Sequence, residues 1–159
     1  MHINNGLDAQ ASYPCYSDGS FVTPGDEWEV LYPELLGIIP HRGLVYRVLP
    51  VGPDGALKVD IIHNSKAAGC VCVTTLENFS QGNEIRLRRR PSSPEHAQII
   101  LDLATSALGH PYSAPVANCE HFTDWCYSGG VDGNSPTLRG IVTISAVVAL
   151  TYFGNSGRR

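Results

Sequence analysis

Residues 118–129 read Asn-Cys-Glu-His-Phe-Thr-Asp-Trp-Cys-Tyr-Ser-Gly and indicate a short helix with a cysteine in its first turn. Asn118 is a favourable N-cap residue, apolar residues recur at helical spacing from Cys119, and Gly129 or Gly130 ends the run. Unpaired N–H groups and the positive end of the helix dipole favour a thiolate at such a position. Cys119 is therefore a candidate nucleophile whose base comes from elsewhere in the fold. A buried structural thiol is the alternative, since that is the commoner fate of a free cysteine.

The composition indicates one compact globular domain. The chain has 159 residues, of which 43% are hydrophobic, and a net charge of -4 that argues against a general nucleic-acid binder. Its cysteines number five and lack the paired spacing of a zinc site, so neither a disulfide framework nor structural zinc is indicated. Reduced thiols and a cytoplasmic location fit better. Residues 1–5 lack the charged and apolar regions of a signal peptide.

The chain divides into three parts by composition. Residues 1–22 are polar and predict a loosely structured N-terminal arm, residues 23–130 form the compact domain, and residues 131–159 form a C-terminal extension. The extension contains an apolar segment at 141–153, which is shorter than the roughly 20 residues of a membrane-spanning helix. A segment packed on the domain is favoured, and an element lying on a membrane surface is the alternative.

Two predicted strands each carry a histidine. Alternating residues predict strands at 27–32, 41–49 and 57–63, and Gly and Pro residues in 51–55 predict a turn between the last two. A hairpin folded about that turn pairs His63 with Leu44, which leaves His41 about 10 Å away at roughly 3.3 Å per residue. Both histidines lie at the end remote from the turn, which is weak support for a shared site. Histidines at strand ends are more often surface or capping residues, which is the alternative.

The remaining elements complete an α+β pattern. Strands are predicted at 69–75 and 83–90, a short helical turn at 76–82, and a helix at 94–108 that begins with Ser93 and Pro94. The second strand holds Arg86 and Arg88–Arg90, which favour a charged edge strand, with a patch for anionic groups as the alternative. We expect an antiparallel sheet of four to six strands with helices 94–108 and 119–128 packed on one side.

Five motifs occur in a characteristic order across residues 23–130. They are Pro24-Gly25-Asp26, His41-x-Gly43-Leu44-x-Tyr46, Ile62-His63, Leu76-Glu77-x-Phe79-x-x-Gly82, and Gly109-x-x-Tyr112 followed by Asn118-Cys119-Glu120-His121-Phe122. In this order they resemble the lecithin–retinol acyltransferase family. The resemblance implies the family's fold, a circular permutation of the NlpC-type, papain-like cysteine peptidases.

The resemblance also implies the site residues. The family's nucleophile falls on Cys119, its general base on His41, and the histidine that orients the base on His63. This agrees with the physical argument, because a nearby imidazole can take the thiol proton and later protonate the leaving group. The backbone N–H of Cys119 is placed to donate to an oxyanion. No metal or organic cofactor is implied.

Three functions follow from these residues. The first is a cysteine acyltransferase or esterase that forms an acyl-thioester on Cys119 from a small-molecule or lipid ester, above all a phospholipid, with peripheral contact to a membrane. The second keeps the same residues in an NlpC-type amidase or cysteine peptidase. The third is a non-catalytic binding module. An open apolar groove beside Cys119 favours the first, and a narrow polar cleft favours the second.

Overall fold

The computed structural model describes residues 14–32, 40–51, 56–113 and 118–131. Its five strands form one antiparallel sheet in the order β4-β3-β2-β1-β5, which confirms the predicted α+β class. The elements in chain order are β1 (Glu27–Leu31), β2 (Pro40–Val51), β3 (Ala56–Ser65), β4 (Cys70–Thr75), α1 (Leu76–Ser80), β5 (Ile85–Arg89), α2 (Pro94–Ser106) and α3 (Cys119–Tyr127).

Several sequence predictions fall outside the described residues. These are the tip of the turn at 52–55, the first 13 residues of the arm, and the extension at 132–159 with its apolar segment at 141–153. The domain boundaries at residues 22 and 130 therefore stay predictions. Among the helices that the structure describes, none has the length and apolar character needed to cross a membrane.

The sheet buries apolar residues on both faces. Helices α2 and α3 cover one face, as predicted, over a cluster that comprises Leu44, Ile62, Val71, Ile100, Ala104, Ala107, Phe122, Trp125 and Cys126. The other face holds a second cluster that comprises Tyr16, Val22, Trp28, Val30, Val45, Val59, Ile61, Phe79 and Ile85. Adjacent strand residues such as Leu44 and Val45 contribute to different clusters because successive side chains point to opposite faces.

A β-bulge in β2 changes the register of the β2–β3 pair. Near the turn the strands pair as predicted, with Val48 opposite Val59. The register shifts between Val45 and Arg47, so that Leu44 pairs with Ile62 rather than with His63. Side chains alternate between the two faces of a sheet. One extra residue in a strand therefore inverts this alternation beyond the bulge, compared with the regular pairing. The predicted pairing of His63 with Leu44 is therefore wrong by one residue.

The Pro24-Gly25-Asp26 turn joins the N-terminal segment to the sheet. Gly25 has a φ of 93°, and a Cβ there would lie 2.8 Å from Cγ of Pro91, so both conformation and space favour glycine. The fully buried Asp26 accepts hydrogen bonds from the Tyr16 hydroxyl (2.8 Å) and the Thr23 backbone N–H (3.0 Å). Tyr16 and Val22, predicted as part of a polar arm, thus contribute to the core.

The arginine strand β5 is an edge strand, as favoured from sequence, and it forms ion pairs inside the protein. Arg89 contacts both the fully buried Glu27 on β1 and Asp124 on α3. Arg88 lies 3.6 Å from the same Glu27 carboxylate. Arg86 pairs with Glu84 at the surface. These charges are matched by the chain's own carboxylates, and Arg89 fixes α3 to the edge of the sheet.

Gly43 is required by the packing between β2, β3 and α1. A Cβ at this position would lie 2.6 Å from Cγ2 of Ile61, 2.8 Å from Cε2 of Phe79 and 3.2 Å from Cβ of His63. The first two distances are shorter than carbon atoms tolerate, and both neighbours are fully buried. Interiors are packed too densely for such groups to move freely.

We expect Arg89→Met to destabilise the fold by about 2–3 kcal/mol, because it leaves the carboxylate of Glu27 buried without its main partner. Urea unfolding followed by circular dichroism measures the change. The matched control is Arg86→Met, which breaks an exposed ion pair with Glu84 and should change stability by less than about 0.5 kcal/mol. Equal losses in the two variants would contradict the structural role of Arg89.

We expect Gly43→Ala to destabilise the fold by about 1–3 kcal/mol through overpacking. In a double-mutant cycle with Ile61→Ala, which removes the closest clashing atom, the combined loss should be about 1 kcal/mol smaller than the sum of the two single losses. If the losses of the two single variants simply add in the double variant, the space beside Gly43 does not limit the size of the side chain there.

Candidate active site

The sequence-predicted catalytic residues line one cavity of about 1130 Å³. Cys119, His41 and His63 all contribute to its wall, and so do residues of the β3–β4 connection and of α1. The three residues come from the start of α3, the start of β2 and the end of β3. The antiparallel arrangement of β2 and β3 brings the last two ends together.

Cys119 is the first residue of α3, as the sequence predicts. The Asn118 side chain caps this helix by accepting a hydrogen bond from the backbone N–H of His121 at 3.0 Å. Residue Cys119 is 8% exposed, and its thiol contacts the carbonyl oxygen of Pro40 at 3.8 Å. Since Pro40 immediately precedes His41, the nucleophile candidate lies beside the start of β2.

The two histidines are in direct contact. Nε2 of His41 lies 2.6 Å from Nδ1 of His63, with the ring planes 77° apart. The bulge in β2 makes this possible, because it puts both side chains on the same face of the sheet. The separation of about 10 Å expected from a regular hairpin is therefore too large.

Aromatic residues hold the histidine pair in place. The ring centroid of Phe79 lies 5.3 Å from that of His41 and 5.5 Å from that of His63. Tyr32 packs against His41 at 5.8 Å and donates its hydroxyl to the carbonyl oxygen of Phe79. Phe79 is fully buried, so it forms a rigid support for both imidazoles. Phe79 belongs to one of the sequence motifs, but its position in the sequence did not indicate that it contacts the histidines.

The environment keeps both imidazoles neutral. Burial lowers the pKa of His41 to about 4. Burial and, secondarily, the proximity of His41 lower the pKa of His63 to about 3. Desolvation disfavours the charged form, and a second imidazolium at this distance would be repelled. At neutral pH the pair is an uncharged hydrogen-bonded unit that can accept a proton.

The thiol environment differs from the sequence prediction. Burial raises the pKa of Cys119, although the backbone N–H and positive charge of Arg42 and the N–H groups at the start of α3 act in the opposite direction. Burial therefore outweighs the helix N-terminus, which we predicted to lower this pKa. Arg42 is itself buried and forms an ion pair with Glu120 at 2.8 Å. The spacing of residues in the sequence did not indicate that Arg42 acts on the pKa of Cys119.

A neutral thiol and neutral imidazoles on the wall of one cavity suit general-base activation. Nε2 of His41 faces His63, so a general base at this position would act through Nδ1. Within the described residues the thiol hydrogen-bonds to Pro40 and not to an imidazole. Catalytic hydrogen bonds are often long before substrate binds. Across the described part of the chain, no group of three or more metal-binding side chains could hold a metal ion.

One further contact was not expected from sequence. Sγ of Cys72 on β4 lies 3.7 Å from Nε2 of His63, and Cys72 lines the same cavity. The alternation of Cys70-Val71-Cys72 places both cysteines on one face of a strand, but it does not identify the residue opposite. The β3–β4 register does so by pairing His63 with Cys72.

Comparison with known proteins supports the family resemblance. No curated protein matches the chain. Residues 54–132 match the family model described as Lecithin retinol acyltransferase, a range that includes His63 and Cys119 and begins after His41. The circular permutation of the papain-like fold stays a prediction. With its α+β fold and this match, the chain belongs to the lecithin retinol acyltransferase family.

Proposed function

We propose that this protein is a thiol-dependent acyltransferase that forms an acyl-thioester on Cys119 and takes its acyl group from a phospholipid ester. The observation that carries the proposal is the convergence of Cys119, His41 and His63 on the wall of one large cavity. A nucleophile, a base and a group that orients the base are the parts that covalent acyl transfer requires.

The first half-reaction cleaves the donor ester. Nδ1 of His41 takes the thiol proton as Sγ of Cys119 attacks the carbonyl carbon, and the backbone N–H of Cys119 donates to the resulting oxyanion. The carbon–oxygen bond then breaks, and His41 returns the proton to the leaving alcohol. In the second half-reaction His41 deprotonates an alcohol, an amine or water, which attacks the thioester and releases the free thiol.

His63 supports the base in both steps. Its Nδ1 lies 2.6 Å from Nε2 of His41, where it can accept a hydrogen bond that strengthens as the His41 ring becomes positive. His63 is buried and packs against Phe79, so its orientation is constrained. In this role it corresponds to the third member of a catalytic triad.

The cavity favours an ester of a sizeable lipid over a peptide. Its volume of about 1130 Å³ is large for a small-molecule site, which typically occupies about 300–1,000 Å³. Apolar residues form part of the wall, namely Tyr32, Pro40, Ala67, Ala68 and Val73. Polar side chains of and beside α1 form another part, namely Glu77, Asn78 and Gln81. An apolar chain and a polar head group could both be accommodated, which a narrow polar cleft for a peptide would not allow.

Incubation with a short-chain phosphatidylcholine should add the mass of one acyl group to the wild-type protein and not to Cys119→Ala. Intact-protein mass spectrometry measures the adduct. Hydroxylamine should remove it, because a thioester is cleaved by this nucleophile. His41→Gln should slow its formation by about 100- to 10,000-fold through loss of the general base.

The controls separate the competing functions. Cys126→Ala removes a buried thiol at the other end of α3 and should leave the adduct unchanged. An adduct with an activated amide but not with the phospholipid would favour the amidase. A folded wild-type protein that forms no adduct with either substrate would favour the binding module.

Activity should persist to unusually low pH. Catalysis requires neutral His41, whose pKa is lowered to about 4, so kcat/KM should stay level below the ordinary histidine pKa of 6.5 and fall as pH approaches about 4. The unfolded chain binds protons more readily over this range, so the free energy of unfolding also decreases between about pH 6.5 and 4. Circular dichroism at each pH confirms that the enzyme remains folded. An acidic midpoint at pH 6.5 would contradict a buried base.

A further inference from the structure

Cys72 contacts the histidine pair, yet no step described above uses it. It lies in β4 directly opposite His63, with Sγ 3.7 Å from Nε2 of that ring. The other ring nitrogen of His63 faces His41 at 2.6 Å. Cys72, His63 and His41 thus form an unbroken chain of contacts along one wall of the cavity that also contains Cys119.

The chain of contacts has two possible directions. A neutral imidazole carries one N–H and one bare nitrogen, so each ring donates on one side and accepts on the other. If Nε2–H of His63 donates to Cys72, then Nδ1 of His63 accepts from Nε2–H of His41. Nδ1 of His41 is then bare and can take a proton from Cys119.

The opposite direction is inactive. If the Cys72 S–H donates to Nε2 of His63, the proton of His63 lies on Nδ1 and is donated to Nε2 of His41. Nδ1 of His41 then carries its own proton and cannot accept one from Cys119. The two directions therefore differ in the donor at both contacts, the one between Cys72 and His63 and the one between His63 and His41.

We propose that Cys72 is a positioning residue whose sulfur accepts the Nε2–H of His63 and thereby holds both histidines in the tautomers that leave Nδ1 of His41 bare. This inference rests on the proposed function of Cys119 and His41. Sulfur is a weak hydrogen-bond donor and a weak acceptor. The Cys72 S–H therefore does not strongly stabilise the inactive direction, in which it donates to His63. Burial raises the pKa of the Cys72 thiol, and the Ser65 side chain acts in the opposite direction, as a hydroxyl that donates to the sulfur does.

The tautomers can be measured directly. Long-range proton–nitrogen correlation spectra of protein labelled with ¹⁵N-histidine distinguish Nδ1–H from Nε2–H rings. His41→Gln and His63→Gln variants assign the two signals. In the wild type we expect both rings to be protonated at Nε2. In Cys72→Val, which replaces the sulfur with apolar methyl groups, His63 should gain the Nδ1–H form.

The kinetic test uses the same variants. Cys72→Val should lower kcat for acyl transfer about 3- to 10-fold with little change in KM, the range expected for loss of one hydrogen bond of about 1 kcal/mol. Cys72→Ser retains an acceptor and should recover most of that rate. Cys70→Val is the matched control, because Cys70 lies on the same face of β4 and pairs with Ser65 rather than with His63. It should leave kcat and both tautomers unchanged.

Two results would overturn the proposal: a wild-type His63 protonated at Nδ1, or a Cys72→Val variant with unchanged tautomers and unchanged kcat. The spectra need no substrate, so they also separate this proposal from the proposed function. A wild-type protein with both rings protonated at Nε2 but without any acyl adduct would contradict the acyltransferase and still support the assigned direction of the hydrogen bonds.

Discussion

The hydrogen bond between His41 and His63 depends on one extra residue in β2. In a regular β2–β3 hairpin the two histidines would project from opposite faces of the sheet. The bulge between Val45 and Arg47 changes the register by one and puts both side chains on the face that Phe79 covers. The contact, the aromatic support and the cavity wall all follow from this local irregularity.

Burial of that pair determines how the site can work. Two imidazoles beside a buried aromatic ring are poorly solvated, so both remain neutral at ordinary pH. The same desolvation raises the pKa of Cys119 and keeps it a thiol despite the helix N-terminus. A preformed thiolate–imidazolium pair is thus disfavoured. Proton transfer coupled to attack on the substrate suits these neutral groups.

The charged residues of β5 have a structural role in the same arrangement. Arg89 connects the buried Glu27 on β1 with Asp124 on α3. The helix that carries Cys119 is therefore joined to the sheet at an edge remote from β4, while its first residue contacts Pro40 at the start of β2. Arginines whose sequence pattern suggested a surface patch thus form ion pairs that orient the helix carrying Cys119.

The sequence by itself determined α3, its Asn118 cap and the position of Cys119, because caps and helical periodicity are local properties of the chain. Strand alternation likewise gave the sheet-forming segments. Only the tertiary structure decided the register of the histidines, the contact with Cys72 and the direction of the Cys119 pKa shift. These depend on a bulge, on cross-strand partners and on burial, and each arises from residues distant in sequence whose approach no local pattern encodes.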